Sequence, residues 1–178
     1  HVTLPLRHSK CGGPAGEDQF FLGQRFPGPQ TLDLQLHVLR VALTNGHQLS
    51  RHLAPGDVVL LIGEIGAGKS FFARSIIQFS QDIAEDVPSP TYTLVQTYTT
   101  RIGEIWHADL YRLDATDEII ELGLTEAFQD AICLVEWPAI LGTLIPRDAL
   151  TLTFKTMPDP NHRQLEMNWS GPSWDDRL

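Results

Sequence analysis

Apolar positions fall into runs of different period along this chain. Leu32, Leu36, Leu39 and Leu43 recur at helical spacing behind Thr31, a suitable N-cap, and Asp33 suits a first turn. This predicts an amphipathic helix from Thr31 to a stop at Asn45 and Gly46. Residues 57–62 form a short β-branched run after the turn signal Pro55 and Gly56, which predicts a buried strand, and residues 71–79 continue as helix. Pro88 and Pro90 forbid helix, so residues 91–98 read as a strand that turns at 100–103 into a second strand at 104–108. Residues 114–121 predict a short acidic helix ended by Gly123, and residues 124–128 a second helical piece. The unbroken apolar run at 131–135 marks a strand buried on both faces. Residues 149–155 and 163–169 alternate, which predicts a terminal hairpin around residues 158–161.

Between the strand at 57–62 and the helix at 71–79 stand Gly63, Glu64, Ile65, Gly66, Ala67, Gly68, Lys69 and Ser70, a complete G-x-x-x-x-G-K-[ST] phosphate loop. Its glycines allow tight turning and close backbone approach, so successive N–H groups face an anion. Lys69 adds a positive charge for the outer phosphates, Ser70 a hydroxyl for Mg²⁺, and the helix that follows points its positive end at the ligand. The loop and Phe71 beside it are the expected nucleotide-contacting stretch. The predicted fold class is α/β: a P-loop NTPase-like three-layer sandwich with a mixed parallel and antiparallel sheet.

At 178 residues, 42% of them hydrophobic, the chain is sized for a single domain, expected at residues 30–170. Residues 1–29 carry glycine, proline and scattered charge without periodicity and read as a flexible leader. Residues 171–178 read as a frayed tail. With 22 acidic against 13 basic residues the net charge is −9, which argues against a broad nucleic-acid surface and against DNA as a partner. Cys11 and Cys133 form neither a disulfide framework nor a metal spacing, so they read as free thiols of a reducing compartment. No stretch reaches the roughly 18 apolar residues that span a bilayer. The expected location is cytoplasmic.

Hydrolysis needs carboxylates beside the phosphate loop. Asp109 ends the strand at 104–108 and Glu136 the strand at 131–135, where an open α/β sheet faces its ligand crevice. An unpaired acid closing a buried strand costs several kcal/mol, so Glu136 is expected to emerge into a polar site; the plainer alternative is an edge-strand cap. For Asp109 the alternatives are an ion pair with Arg112 or a helix cap. The favoured assignment puts Asp109 in the metal shell and lets Glu136 orient the attacking water or extend that shell. His107 shares a strand face with Asp109, but a structural histidine is favoured over a two-ligand transition-metal site. Trp137 reads equally well as a wall for the nucleobase or as core. Ser89 and Thr91 sit in a proline-stiffened loop that is either a rigid turn or a γ-phosphate sensor.

The phosphate loop, Ser-Pro-Thr-Tyr-Thr-Leu-Val at 89–95, His-Ala-Asp-Leu-Tyr-Arg-Leu at 107–113, Glu-Leu-Gly-Leu at 121–124 and Leu-Val-Glu-Trp-Pro at 134–138 occur in one order. Over roughly residues 31–169 the chain resembles the TsaE family (formerly YjeE), the bacterial ATPase subunit of tRNA threonylcarbamoyladenosine biosynthesis. The resemblance implies an ATP- and Mg²⁺-dependent protein for making N6-threonylcarbamoyladenosine at position 37 of tRNAs that read codons beginning with A. It implies weak ATPase activity stimulated by docking on a transferase subunit and its paralogous partner, of TsaD and TsaB type, with tRNA contacted only indirectly and no membrane involved. By motif position Lys69 and Ser70 serve phosphate and Mg²⁺, with Lys69 also catalytic. Asp109 is similar to a metal-shell acid, Glu136 to the catalytic carboxylate, Trp137 to a wall near the base, and residues 89–93, with Thr91, to a switch segment. Glu64 and Ile65 replace the family's usual Asp-Leu and Ser70 its usual Thr, while Arg163 matches a late nucleotide-side arginine only loosely. The competing reading is a small-molecule or nucleoside kinase; it lacks an arginine-bearing lid, since Arg101 and Arg112 are isolated. A GTP switch lacks its Asn-Lys-x-Asp guanine reader.

Overall fold

Alternation along the central strands sends successive side chains to opposite faces of one sheet, and each face has its own core. A computed structural model describes residues 30–35, 45–83, 85–159 and 162–178. Val59 and Leu61 of β2 (Val58–Gly63), with Ile132 and Leu134 of β5 (Ile132–Glu136), pack against Phe72, Ala73, Ile76 and Ile77 of α2 (Lys69–Ser80). A helical segment at residues 45–50, α1, lies on the same side, where His47 stacks on Phe79 at 4.3 Å between ring centroids. Val58, Leu60, Cys133 and Val135 point the other way, onto Ile119 of α3 (Thr116–Glu121), Leu124 and Phe128 of α4 (Leu124–Asp130), and Leu141 of a 3₁₀ segment (Pro138–Leu144). Helices therefore cover both faces, as the α/β expectation requires.

The described strands form a seven-stranded sheet in the order β1-β7-β6-β2-β5-β4-β3. Its centre is parallel: β2 pairs with β5 and with β6 (Leu150–Thr156), and β5 with β4 (Gly103–Asp109). Its flanks are antiparallel, with β3 (Val95–Thr100) on β4, and with β7 (His162–Asn168) joined to β6 and to β1 (Gln30–Gln35). Parallel strands align their C-terminal ends, so Gly63, Asp109 and Glu136 arrive at one edge.

Three local expectations are corrected. Residues 30–35 are strand rather than the start of a helix; Leu32 and Leu36 fit the helical stripe, but Thr31, Leu32, Asp33, Leu34 and Gln35 also alternate, and pairing with β7 selects that period. Leu36, Leu39 and Leu43, like residues 1–29 and Cys11, lie outside the described residues. Asn45 and Gly46 do not stop a helix but lie in α1. A Cβ on Gly46 would come 1.8 Å from Ser75 Oγ and 2.9 Å from Ser75 Cβ, so the glycine serves the approach of α1 to α2. Strand β3 begins only at Val95, because Leu94 N–H donates to the Pro90 carbonyl at 2.7 Å and Thr93 Oγ1 to the same oxygen at 3.4 Å, closing residues 90–94 into a turn.

The tail is also corrected, from frayed to packed. Trp174 is 1% exposed and its Nε1 donates to the Asp148 carbonyl at 2.6 Å. Arg177 lies over the Trp174 ring, 4.0 Å from its centroid, and gives a two-pronged bond to Asp57 at 2.7 and 2.8 Å. Asp57 also accepts Ala54 N–H at 2.7 Å in the turn that launches β2. Cys133 is fully buried in β5, and burial pushes its thiol up to about 12, with Asp130 and Glu104 adding to the shift, so it is a packing residue rather than a nucleophile.

Two stability outcomes follow from these contacts. Gly46→Ala is expected to destabilise by about 1–3 kcal/mol, the overpacking outweighing the helix propensity gained, with Ser75→Gly restoring part of the loss; urea midpoints of the single and double variants measure it. Trp174→Ala is expected to cost about 3–5 kcal/mol, read as a lower thermal midpoint, whereas a frayed tail would leave that midpoint unchanged.

Candidate functional site

The strand face beneath α2 changes character along its length. Ile105 on β4 and Ile132 and Leu134 on β5 are fully buried hydrocarbon, and further along the same face stand His107, Asp109 and Glu136, 0%, 5% and 2% exposed. The register sets Asp109 directly beside Glu136. Both acids therefore arrive under the N-terminus of α2.

The loop between β2 and α2 reaches that point through its backbone. A Cβ at Gly63 would lie 2.7 Å from the Phe154 carbonyl, so β2 and β6 could not keep their spacing with a larger residue there. Gly68 has φ +108 and caps α2 with no side chain, leaving the first N–H groups of a 12-residue helix available to an anion. Glu64, Ile65 and Gly66 are exposed, Ala67 is buried, and Phe71 is partly buried at the start of α2. Thr156 of β6 meets Glu64 Oε2 at 3.5 Å.

Ser70 Oγ donates to Glu136 Oε2 at 2.9 Å, and His107 Nε2 stands 2.9 Å from Glu136 Oε1. Asp109 is engaged elsewhere: Oδ2 accepts Thr91 Oγ1 at 2.8 Å and Oδ1 accepts Tyr111 N–H at 3.0 Å. Thr91 in turn meets Ser89 Oγ at 2.9 Å, and Asp109 N–H donates to the Leu94 carbonyl at 2.9 Å. The segment after α2 is thus bound to the second acid by side chain and by backbone, and Arg74 of α2 holds its beginning through the Val87 carbonyl at 2.7 Å.

Lys69 curls back on its own loop, donating to the Gly63 and Glu64 carbonyls at 2.8 and 2.9 Å, with Nζ 4.0 Å from the centroid of the Trp137 ring. Burial lowers its pKa, and the carboxylates of Glu136 and Asp109 pull it back up. Trp137, half-buried, is neither core nor remote: it covers the lysine and lies 4.9 Å from Tyr111 between ring centroids. Arg163 sits opposite Thr156 in the β6–β7 ladder, at the same edge of the sheet as the loop.

The residue that the sequence reading undervalued is His107. It is buried, as a structural histidine should be, but its partner is the candidate catalytic acid. No cluster of three or more His, Cys, Asp or Glu suited to a metal occurs among the described residues, so its pairing with Glu136 accounts for it better than a transition-metal pair with Asp109. Two non-glycine residues with positive φ, Leu94 (+65) and Trp137 (+57), also flank the site. Such conformations cost about 1–3 kcal/mol each and gather at functional segments.

A family model described as "Threonylcarbamoyl adenosine biosynthesis protein TsaE" matches residues 40–165. A protein of Rickettsia bellii named tRNA threonylcarbamoyladenosine biosynthesis protein TsaE is 42% identical over 107 residues, covering 60% of this chain and 74% of the relative. The protein of the same name from Bacillus subtilis is 36% identical over 106 residues, covering 59% of this chain and 65% of the relative. Among solved structures, a crystal structure of YdiB from Bacillus subtilis superposes with a TM-score of 0.66, covering 83% of this chain and 91% of that one; at 22% identity it attests the fold. The loop, the Thr91 and Asp109 segment, and the Glu136 strand end all fall inside the stretch matched by the family model, and the chain belongs to the TsaE family of threonylcarbamoyladenosine biosynthesis proteins.

Proposed function

We propose that this protein is a P-loop ATPase that binds and slowly hydrolyses ATP in support of N6-threonylcarbamoyladenosine formation at position 37 of tRNAs reading codons beginning with A. It acts by docking on the transferase subunit and its paralogous partner, of TsaD and TsaB type, and resetting them between turnovers. The observation that carries the ATPase reading is the Ser70–Glu136 contact at the start of α2, which brings the hydroxyl of the phosphate loop and a buried acid to one point. The pathway comes from the family, whose curated relatives are named for threonylcarbamoyladenosine biosynthesis. A net charge of −9 suits a protein that reaches tRNA only through partners, and a cytoplasmic location suits that pathway.

Nucleotide contacts are assigned to residues 63–71, with Thr91, Trp137 and Arg163 around them. The loop N–H groups and the α2 terminus cradle the phosphates, and Lys69 leaves the Gly63 and Glu64 carbonyls to pair with them. Ser70 Oγ and Glu136 Oε2, with Asp109 alongside, are hard oxygen donors that fit Mg²⁺, an ion that takes one or two carboxylates and completes its shell with phosphate oxygens and water. When bound, Mg²⁺ supplies neutralisation of charge on the phosphate oxygens. Glu136 orients the nucleophile. Asp109 links the site to residues 89–94 through Thr91, so this segment serves as the switch. Trp137, whose ring lies over Lys69, is assigned as the wall near the nucleobase. The kinase alternative gains no support from the two isolated arginines: Arg112 donates to the Tyr92 carbonyl at 2.7 Å and Arg101 to the Phe79 carbonyl, so neither is poised as a lid.

Lys69→Ala is expected to lose ATP binding and Ser70→Ala its Mg²⁺ dependence, while Glu136→Ala binds nucleotide and loses hydrolysis by at least about 10²-fold. Calorimetry paired with phosphate release checks all three, and normal turnover by Glu136→Ala would remove its catalytic assignment. With purified partner proteins, Lys69→Ala is expected to leave a single round of tRNA modification and abolish multiple turnover. Tryptophan fluorescence is expected to change on ATP addition in the native protein and to stay constant in Trp137→Phe; an unchanged native signal at saturating ATP would displace Trp137 from the site.

A further inference from the structure

We propose that His107 is a positioning residue: its Nε2–H holds Oε1 of Glu136, and so keeps Oε2 turned toward Ser70 at the start of α2. On β4 the α2-facing positions run Ile105, His107, Asp109, and His107 is paired with Leu134 in the β4–β5 ladder and with Gln96 in the β3–β4 ladder. Packing alone at such a fully buried place is served by a hydrocarbon side chain, as at Ile105 and Leu134. An imidazole there has to find polar partners or bear the cost of leaving water. It finds one, since Nε2 lies 2.9 Å from Glu136 Oε1, while Nδ1 has no hydrogen-bond partner among the described residues. Among the described residues the bond to Glu136 is the polar contact of this ring, which is otherwise placed like a core side chain.

The geometry also assigns the proton. A carboxylate only accepts, so Nε2 is the donor of this bond. Glu136 is equally dependent on the pair. At 2% exposure it meets a donor on each oxygen, Ser70 on one and His107 on the other. Removing the imidazole donor leaves Oε1 desolvated and free to rotate toward another donor, which turns Oε2 away from Ser70. Donors that orient a ligating or catalytic group in this way are worth about 10–100-fold in metal affinity or activity.

The consequence for Mg²⁺ rests on the ATPase reading above, whereas the hydrogen bond itself does not, and the test separates the two. In the nucleotide-free protein, long-range ¹H–¹⁵N spectra of the histidine rings, with His107 assigned by its loss in His107→Gln, are expected to show a ring protonated at Nε2. A ring whose Nε2 carries no hydrogen overturns the proposal. ADP binding is then measured with and without Mg²⁺. His107→Leu, which keeps volume and removes the donor, is expected to bind Mg²⁺-free ADP as the native protein does and to lose about 10–100-fold of the Mg²⁺ enhancement. His107→Gln, whose amide nitrogen reaches the place of Nε2, is expected to keep most of it. An undiminished enhancement in His107→Leu, or equal loss in both variants, overturns the positioning role. If His107→Leu does not fold, His107→Asn takes its place, its amide being too short to reach Oε1. A native protein whose ADP binding ignores Mg²⁺ would refute the ATPase reading instead, and the ring spectra would still decide the hydrogen bond.

Discussion

Glu136 is a carboxylate shut away from water, and an acid so placed needs a donor on each oxygen to replace the water it has lost. Ser70 from α2 and His107 from β4 meet it, which ties the helix that follows the phosphate loop to two parallel strands at their C-terminal ends. That requirement fixes several other features. Strands β2 and β5 must be neighbours and parallel, so that the loop and the acid finish at one edge. Helix α2 must start close above that edge, which Gly63 and Gly68 allow. Its inner side must then lie flat on Val59, Leu61, Ile132 and Leu134, the apolar part of the same strand face. The acid-bearing edge and the larger core are thus two stretches of one surface.

The second acid uses the same edge differently. Asp109 is bound to Thr91 and to the backbone of residues 94 and 111, so it belongs to the segment between α2 and β3 as much as to β4. Next to it, Trp137 and Leu94 hold left-handed backbone conformations. A strained residue at the end of β5 and another just before β3 bracket the pair of acids. Backbone strain of this kind costs about 1–3 kcal/mol per residue and persists only where the surrounding contacts hold it in place.

Much of this was legible because local chemistry and tertiary demand agree. The phosphate loop, the run through Cys133 and Val135, and the two hairpins each carry a period or a turn that packing has no reason to overrule. Residues 30–35 were misread because one set of leucines satisfies two periods, and only the partner strand β7 decides between them. Gly46 looked like a helix stop because its actual duty, admitting Ser75, lies on another helix. The tail looked empty because Trp174 and Arg177 find their partners at Asp148 and Asp57, far away in sequence. Within the site, the acids were visible as polar endings of apolar strands. The His107 bond was not, because it needs the β4–β5 register to be known.

The clasp between Arg177 and Asp57 joins residues 120 positions apart, at the foot of the strand whose other end carries the phosphate loop. Both strands that flank β2 also come later in the chain, β5 supplying the acid and β6 the opposite border. During synthesis, then, the most recognisable motif emerges with neither neighbour in place, and its surroundings form only once β5 and β6, and after them Arg177, have come back to β2. The phosphate loop is in this sense a frame set out before its walls: recognisable early in the sequence, it is enclosed only by chain that follows it.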